Sequence, residues 1–138
     1  MDTTRHGNAD RISARLEADT LIWLTTIDNR GRPQPSLVWY LWENGEVLVY
    51  SRPHTQKVGN IAARPQVALN FNSNEGGGDM TVIQGTARLV DDAPPPHLNE
   101  PYIARYHDRI QRLNSTPEEY IGPYSQAIRI TLDSARGF

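Results

Sequence analysis

Apolar residues in this chain fall into short runs, and most of these runs have the make-up of strands. The run "TLIWLTTI" (20–27) is rich in β-branched and aromatic residues and breaks at the turn cluster "DNRGRP". "PSLVWYLW" (35–42) predicts a second strand and "EVLVYS" (46–51) a third, with Asn44-Gly45 between them as a tight hairpin turn. "QVALNFN" (66–72) and "MTVIQGTARLV" (80–90) predict two more strands, joined by the polar, glycine-rich "SNEGGGD", and "SQAIRITL" (125–132) a last one. Helical spacing is confined to three places. In "NADRISARLEAD", Ile12 and Leu16 stand four apart behind the candidate caps Asn8 and Asp10. "TQKVGNIAAR" (55–64) reads as a short helix with Thr55 as cap and Pro65 as stop. The third runs from about Pro101 to Leu113, capped by Asn99, with Tyr102, Ile103, Tyr106, Ile110 and Leu113 on one face.

Many strands, few helices and tight turns predict a mainly β fold with flanking helices, an antiparallel sheet or barrel rather than a doubly wound one. No GxGxxG follows a strand, which argues against a Rossmann dinucleotide site. The second strand is apolar on both faces: Leu37, Trp39 and Leu41 alternate with Val38, Tyr40 and Trp42. A barrel interior absorbs one face, and the other needs a helix, a ligand or a second copy of the chain. With so short a chain, a homodimer is the economical expectation.

Composition narrows the class. The 138 residues predict a single domain, with no internal repeat and no linker. Fourteen basic against sixteen acidic residues leave a formal charge of −2, without the basic footprint of a nucleic-acid binder. There is no cysteine, which excludes disulfides, thiolate metal sites and a cysteine nucleophile. "MDTTRHGNAD" lacks the apolar core of a signal peptide, and no apolar run reaches the roughly 20 residues of a membrane span. The expectation is a cytoplasmic protein that acts on a small molecule.

The densest chemistry lies in "YSRPHTQKVGNIAARP" (50–65), where the third strand hands over to the second helix. Ser51, Arg52, Thr55, Gln56 and Lys57 are gathered at a helix N-terminus, whose backbone N–H groups and dipole favour an anion. A lysine in the first turn opposes that dipole unless an anion is present, so a phosphate site is one reading. A capped turn with a solvated lysine is the other. Elsewhere the signals are structural. His6, His54, His97 and His107 lack metal-ligand spacing. Asp91–Asp92 and Glu118–Glu119 are adjacent pairs that point apart. Trp23, Trp39 and Trp42 have the placing of core residues. Ser36 has no GxSxG context.

The segment "GRPQPSLVWYLWENGEVLVYSRPHTQKVGNIAARPQVALNF" resembles the pyridoxamine 5′-phosphate oxidase-like split-barrel flavoproteins, and especially the branch that uses the deazaflavin coenzyme F420. The similar features are G-x-P-x-x-x-x-V-W, an N-G hairpin, S-x-P-x-T-x-K-x-x-N-I before a helix, and a closing R-G-F. The resemblance implies a split β-barrel, a homodimer with its site between subunits, and a phosphate held by Ser51, Thr55 and Lys57 with Arg52 and Gln56 adjacent. It further implies that Gln34, Pro35, Ser36 and Val38 lie along the cofactor ring, and that residues 79–84 of the partner complete the site. Some relatives carry arginine where Thr55 stands, so the cationic complement is smaller here. The implied activity is F420-dependent reduction of a conjugated small molecule. Two alternatives stay open: an enzyme using flavin mononucleotide (FMN), and a non-catalytic dimer that binds a flavin or deazaflavin. No side chain stands out as a catalytic acid or base.

Overall fold

In the computed structural model, which describes residues 2–3 and 8–137, one curled sheet is flanked by helices. In chain order the elements are β1 (Asp2–Thr3), α1 (Asn8–Ala18), β2 (Leu21–Ile27), β3 (Pro33–Trp39), β4 (Leu41–Glu43), β5 (Glu46–Ser51), α2 (Gln56–Ala63), β6 (Gln66–Asn70), β7 (Thr81–Val90), a 3-10 turn (Pro96–Leu98), α3 (Glu100–Arg112), α4 (Pro117–Tyr120) and β8 (Gln126–Gly137). Seven strands are ordered β3-β2-β6-β7-β8-β5-β4, every neighbouring pair antiparallel, and β1 adds in parallel to β8. The two end strands, β3 and β4, are separated in sequence only by Tyr40, so the chain itself joins the two ends of the sheet. β8 pairs with β5 over Gln126–Thr131 and with β1 at Ser134 and Ala135. One long strand thus serves two short ones, which gives a split β-barrel. Among the described residues no helix is long and apolar enough to cross a membrane.

Local chemistry accounts for the joints. Asn44 and Gly45 have φ of 53° and 74°, the left-handed pair that lets a two-residue turn follow the twist of β4 and β5. At Gly85 the register between β7 and β8 shifts, and a Cβ there would come within 2.8 Å of Ile130 and of the Thr131 carbonyl. Only glycine permits that approach. The Asn99 side chain accepts from Tyr102 N at 3.3 Å, so α3 is capped as its sequence indicates. Neither expected cap of α1 holds the cap position: Asn8 is the first residue of the helix and Asp10 lies in its first turn, and the residue before Asn8 is outside the described ones.

The second strand departs from expectation. Instead of running unbroken from 35 to 42, it stops at Trp39 and restarts at Leu41. The alternation of faces survives the break. Val38, Tyr40 and Trp42 join the barrel core with Ile22, Leu24, Val49, Leu69, Ile83 and Ile130, which α1 closes with Ile12 and Leu16. Trp39 and Leu41 join a second cluster on the opposite face, where α3 contributes Tyr102, Tyr106 and Ile110. A helix therefore covers that face at the β4–β5 end. At the other end, no element among the described residues covers the outward residues of β2 and β3: Trp23 pairs with Leu37, Thr25 with Pro35, and Leu37 is 44 % exposed.

Candidate functional site

The turn from β5 into α2 is built around two hydroxyls. Ser51 is buried, and its Oγ donates to the Arg52 carbonyl at 2.9 Å and lies 3.0 Å from Thr55 Oγ1. Since Ser51 has one proton to give, Thr55 donates in the second bond. Thr55 holds the N-cap position of α2 with extended φ and ψ and makes no side-chain cap bond; its hydroxyl bonds to Ser51. The expected Thr55 cap is therefore positional only. The first intrahelical bond of the segment runs from Gly59 N to Thr55 O, so the N–H groups of Gln56, Lys57 and Val58 have no helical acceptor. No acidic residue stands in that turn.

Lys57 is half-buried and finds neither a hydrogen bond nor an ion pair among the described residues. Burial alone pushes its ammonium below the ordinary lysine value. It lines two cavities at once. One, of about 230 Å³, is bounded by Thr26, Gln34, Pro35, Ser36, Thr55, Gln56, Lys57 and Asn60. The other, of about 280 Å³, is an aromatic cleft formed by Leu37, Val38, Trp39, Tyr50, Lys57, Tyr102, Tyr120, Ile121 and Tyr124. Both open along β3, which among the described residues pairs only with β2 and so presents the backbone of an edge strand.

The polar cavity is held in shape from behind. Asn60, buried on α2, donates to Thr26 Oγ1 at 3.0 Å and so fixes the helix to β2. Gln34 donates to Asp28 Oδ2 at 3.1 Å. Asp28 also accepts from the backbone N–H groups of Arg30 and Arg32, each at 2.9 Å, and from Arg32 Nε at 2.9 Å. Those donors, led by the Arg32 backbone N–H, hold its carboxyl down to about 2. The β2–β3 turn thus carries an ionised carboxylate that orients one wall of the cavity.

Of the nine residues singled out from the sequence, six meet around the polar cavity: Gln34, Pro35, Ser36, Thr55, Gln56 and Lys57. Ser51 lies behind it, bonded to Thr55. Val38 lines the aromatic cleft. Arg52 is turned away, its guanidinium 5.1 Å from the centre of the Tyr124 ring at the cleft. Sequence reasoning passed over Asn60, Thr26 and Asp28. Asn60 had a signal, a polar residue beside Ile61 on the buried face of a short helix. His6 and Phe138 lie outside the described residues, and no three His, Asp or Glu side chains among the described ones group to hold a metal.

A family model for pyridoxamine 5′-phosphate oxidase matches residues 9–137. No curated protein matches the chain. Among solved structures, a conserved hypothetical protein from Mycobacterium tuberculosis superposes with a TM-score of 0.74 at 18 % identity, over 93 % of this chain and 82 % of the other. An F420 reductase gives 0.66 at 20 % identity, over 89 % and 94 %. An FAD-binding protein from Mesorhizobium loti gives 0.67 at 16 % identity, over 92 % and 91 %. The structures share the fold, and the family model spans nearly the whole sequence: this chain belongs to the pyridoxamine 5′-phosphate oxidase family.

Proposed function

We propose that the protein is an oxidoreductase that binds the phosphate of a flavin-type cofactor at the start of α2, that its cofactor is the deazaflavin F420, and that it reduces a conjugated small molecule. The observation that carries this reading is Lys57: a half-buried cation with no partner among the described residues, placed against its own helix dipole, between a polar cavity and an aromatic one. A phosphate supplies what that lysine lacks. The donor set suits such a group, since the unpaired N–H groups of Gln56, Lys57 and Val58 and the Lys57 ammonium gather at one helix end. Gln34, Ser36 and the edge backbone of β3 would orient the rest of the molecule, with Ser51 fixing the turn through Thr55. When bound, a deazaflavin supplies two-electron hydride chemistry, while this chain supplies binding, orientation and electrostatics.

A homodimer is part of the proposal. The outward face of β2 and β3, with Trp23, Leu37 and Pro35, is apolar and has no cover among the described residues. A second copy would bury it and bring its residues 79–84 toward the site.

FMN is the second reading, supported by the fold shared with an FAD-binding protein. Titration of the purified protein with F420 and with FMN, followed by fluorescence, separates the two. Tighter binding of F420 is the expected result. Clearly tighter FMN binding reverses the assignment, and binding of neither removes the flavin-type reading.

A further inference from the structure

Asp28 does not line the polar cavity, yet it decides which way one wall residue faces. It is buried at the β2–β3 turn and accepts two hydrogen bonds at each oxygen. The backbone N–H groups of Arg30 and Arg32 donate to Oδ1, and Arg32 Nε and Gln34 Nε2 donate to Oδ2. Those donors hold its carboxyl down to about 2, so at neutral pH it is ionised and can only accept. Gln34 must therefore turn its NH2 toward Asp28, because its own oxygen there would meet a carboxylate oxygen. That leaves Oε1 directed away from Asp28, without a partner among the described residues, on a side chain that lines the cavity beside Lys57. The other amide of the cavity, Asn60, is not fixed in this way. Its partner is the Thr26 hydroxyl, which can give a proton or take one.

We infer that Asp28 is a positioning residue that fixes Gln34 as a hydrogen-bond acceptor in the polar cavity, and that the ligand there is a phosphate ester with a hydroxyl on the short chain next to the phosphate. The inference rests on the reading that the start of α2 takes the phosphate. The cavity then has two poles. The free N–H groups of α2 and the Lys57 ammonium serve the anion, and Gln34 Oε1 on β3 takes a proton from the group beside it. At about 230 Å³ the cavity is smaller than ordinary ligand pockets, so it holds the phosphate and only the first few atoms of the chain that bears it. Gln34 is therefore a specificity-determining residue. An ester with an O–H at that place satisfies Oε1, whereas one with only acceptor oxygens sets oxygen against oxygen.

The probes are 2-hydroxyethyl phosphate, which has a hydroxyl proton to give, and its methyl ether, 2-methoxyethyl phosphate, which has none. Binding of each is measured by NMR titration on the wild type, Asp28→Asn, Gln34→Leu and Lys57→Ala. Asp28→Asn keeps an oxygen for the two backbone N–H groups and puts an NH2 where Oδ2 stood. Gln34 then turns round, giving its oxygen to the new amide and its N–H to the cavity, so the hydroxyl loses its acceptor and the ether gains a donor. The wild type should prefer the hydroxyl ester about three- to ten-fold, and the preference should shrink to within about two-fold in Asp28→Asn and in Gln34→Leu. Lys57→Ala should weaken both esters. A merely structural loosening of the β2–β3 turn would weaken both alike and leave their ratio unchanged. Equal wild-type affinity for the two esters, or a preference that survives Gln34→Leu, overturns the inference and leaves the phosphate reading in place. A preference lost in Gln34→Leu but kept in Asp28→Asn overturns the role of Asp28. Binding of neither ester to the wild type overturns the phosphate reading and the inference with it.

Discussion

The hydroxyl of Tyr106 on α3 accepts a hydrogen bond from the backbone N–H of Tyr40 at 2.8 Å, at the single residue that separates β3 from β4. The same oxygen lies 2.7 Å from the Tyr40 carbonyl and 2.7 Å from the Thr20 carbonyl, so its one proton serves either acceptor. A helix side chain thus stands in for a strand neighbour where the sheet turns from one end strand into the other. The break is positioned by α3, more than sixty residues away in sequence.

Tyr106→Phe keeps the ring stacked on Trp39 but leaves the Tyr40 N–H unpaired in a buried setting. The expected loss is about 1–3 kcal/mol of stability. Urea unfolding of wild type and variant measures it. An unchanged midpoint would mean that the Tyr40 backbone finds another partner and that the break does not depend on Tyr106.

Asp28 makes stability depend on acid. Its folded carboxyl titrates at about 2 against an ordinary 3.8, so the folded state binds this proton less readily than the unfolded chain. Its contribution is present above about pH 4 and is lost as the pH falls through about 2. Melting temperatures of wild type and Asp28→Asn should differ most above pH 4 and converge toward pH 2. A constant gap across that range would show that the carboxylate charge does not matter. Because Gln34 leans on Asp28, the same variant should also weaken ligand binding in the polar cavity at neutral pH.

Leu37 tests the uncovered face. If a second copy covers β2 and β3, the association buries at least about 2,000 Å² in total, as obligate homodimers do. Leu37→Arg places a charge at the centre of that contact and should shift the sedimentation coefficient from dimer to monomer at micromolar concentration. A wild-type protein that sediments as a stable folded monomer contradicts the dimer.

Local signals carried much of the fold. The β-branched and aromatic runs at 20–27, 46–51 and 80–90, the Asn44-Gly45 turn and the Asn99 cap depend on neighbouring residues, and all appear in the structure within a residue or two of their sequence positions. What was hidden depends on distant partners. Nothing near Tyr40 announces a strand break, because its partner is Tyr106. The parallel pairing of β1 with β8, and the run of β8 on to Gly137, are likewise set across the sheet. α4 was legible and overlooked: Thr116 caps it by accepting from Glu119 N at 3.3 Å, with Pro117 next, the ordinary signature of a helix start. In the site, residues near one another in sequence had to be sorted by the fold. Lys57 and Gln56 face the polar cavity, whereas Arg52, a few residues earlier, goes to Tyr124. Asp28 and Asn60 act through Gln34 and Thr26, contacts that no local pattern reveals.

The central claim is that Lys57 is placed for an anion rather than for the fold, and Lys57→Ala measured for cofactor affinity and for melting of the ligand-free protein tests it most directly. A charge-assisted hydrogen bond contributes roughly 1.5–3 kcal/mol, so F420 affinity should fall about ten- to a hundred-fold. Removing a partly buried, unpartnered cation from the first turn of α2 should leave the melting temperature unchanged or slightly raised. Unchanged affinity, or weaker affinity accompanied by a large fall in melting temperature, would contradict the account.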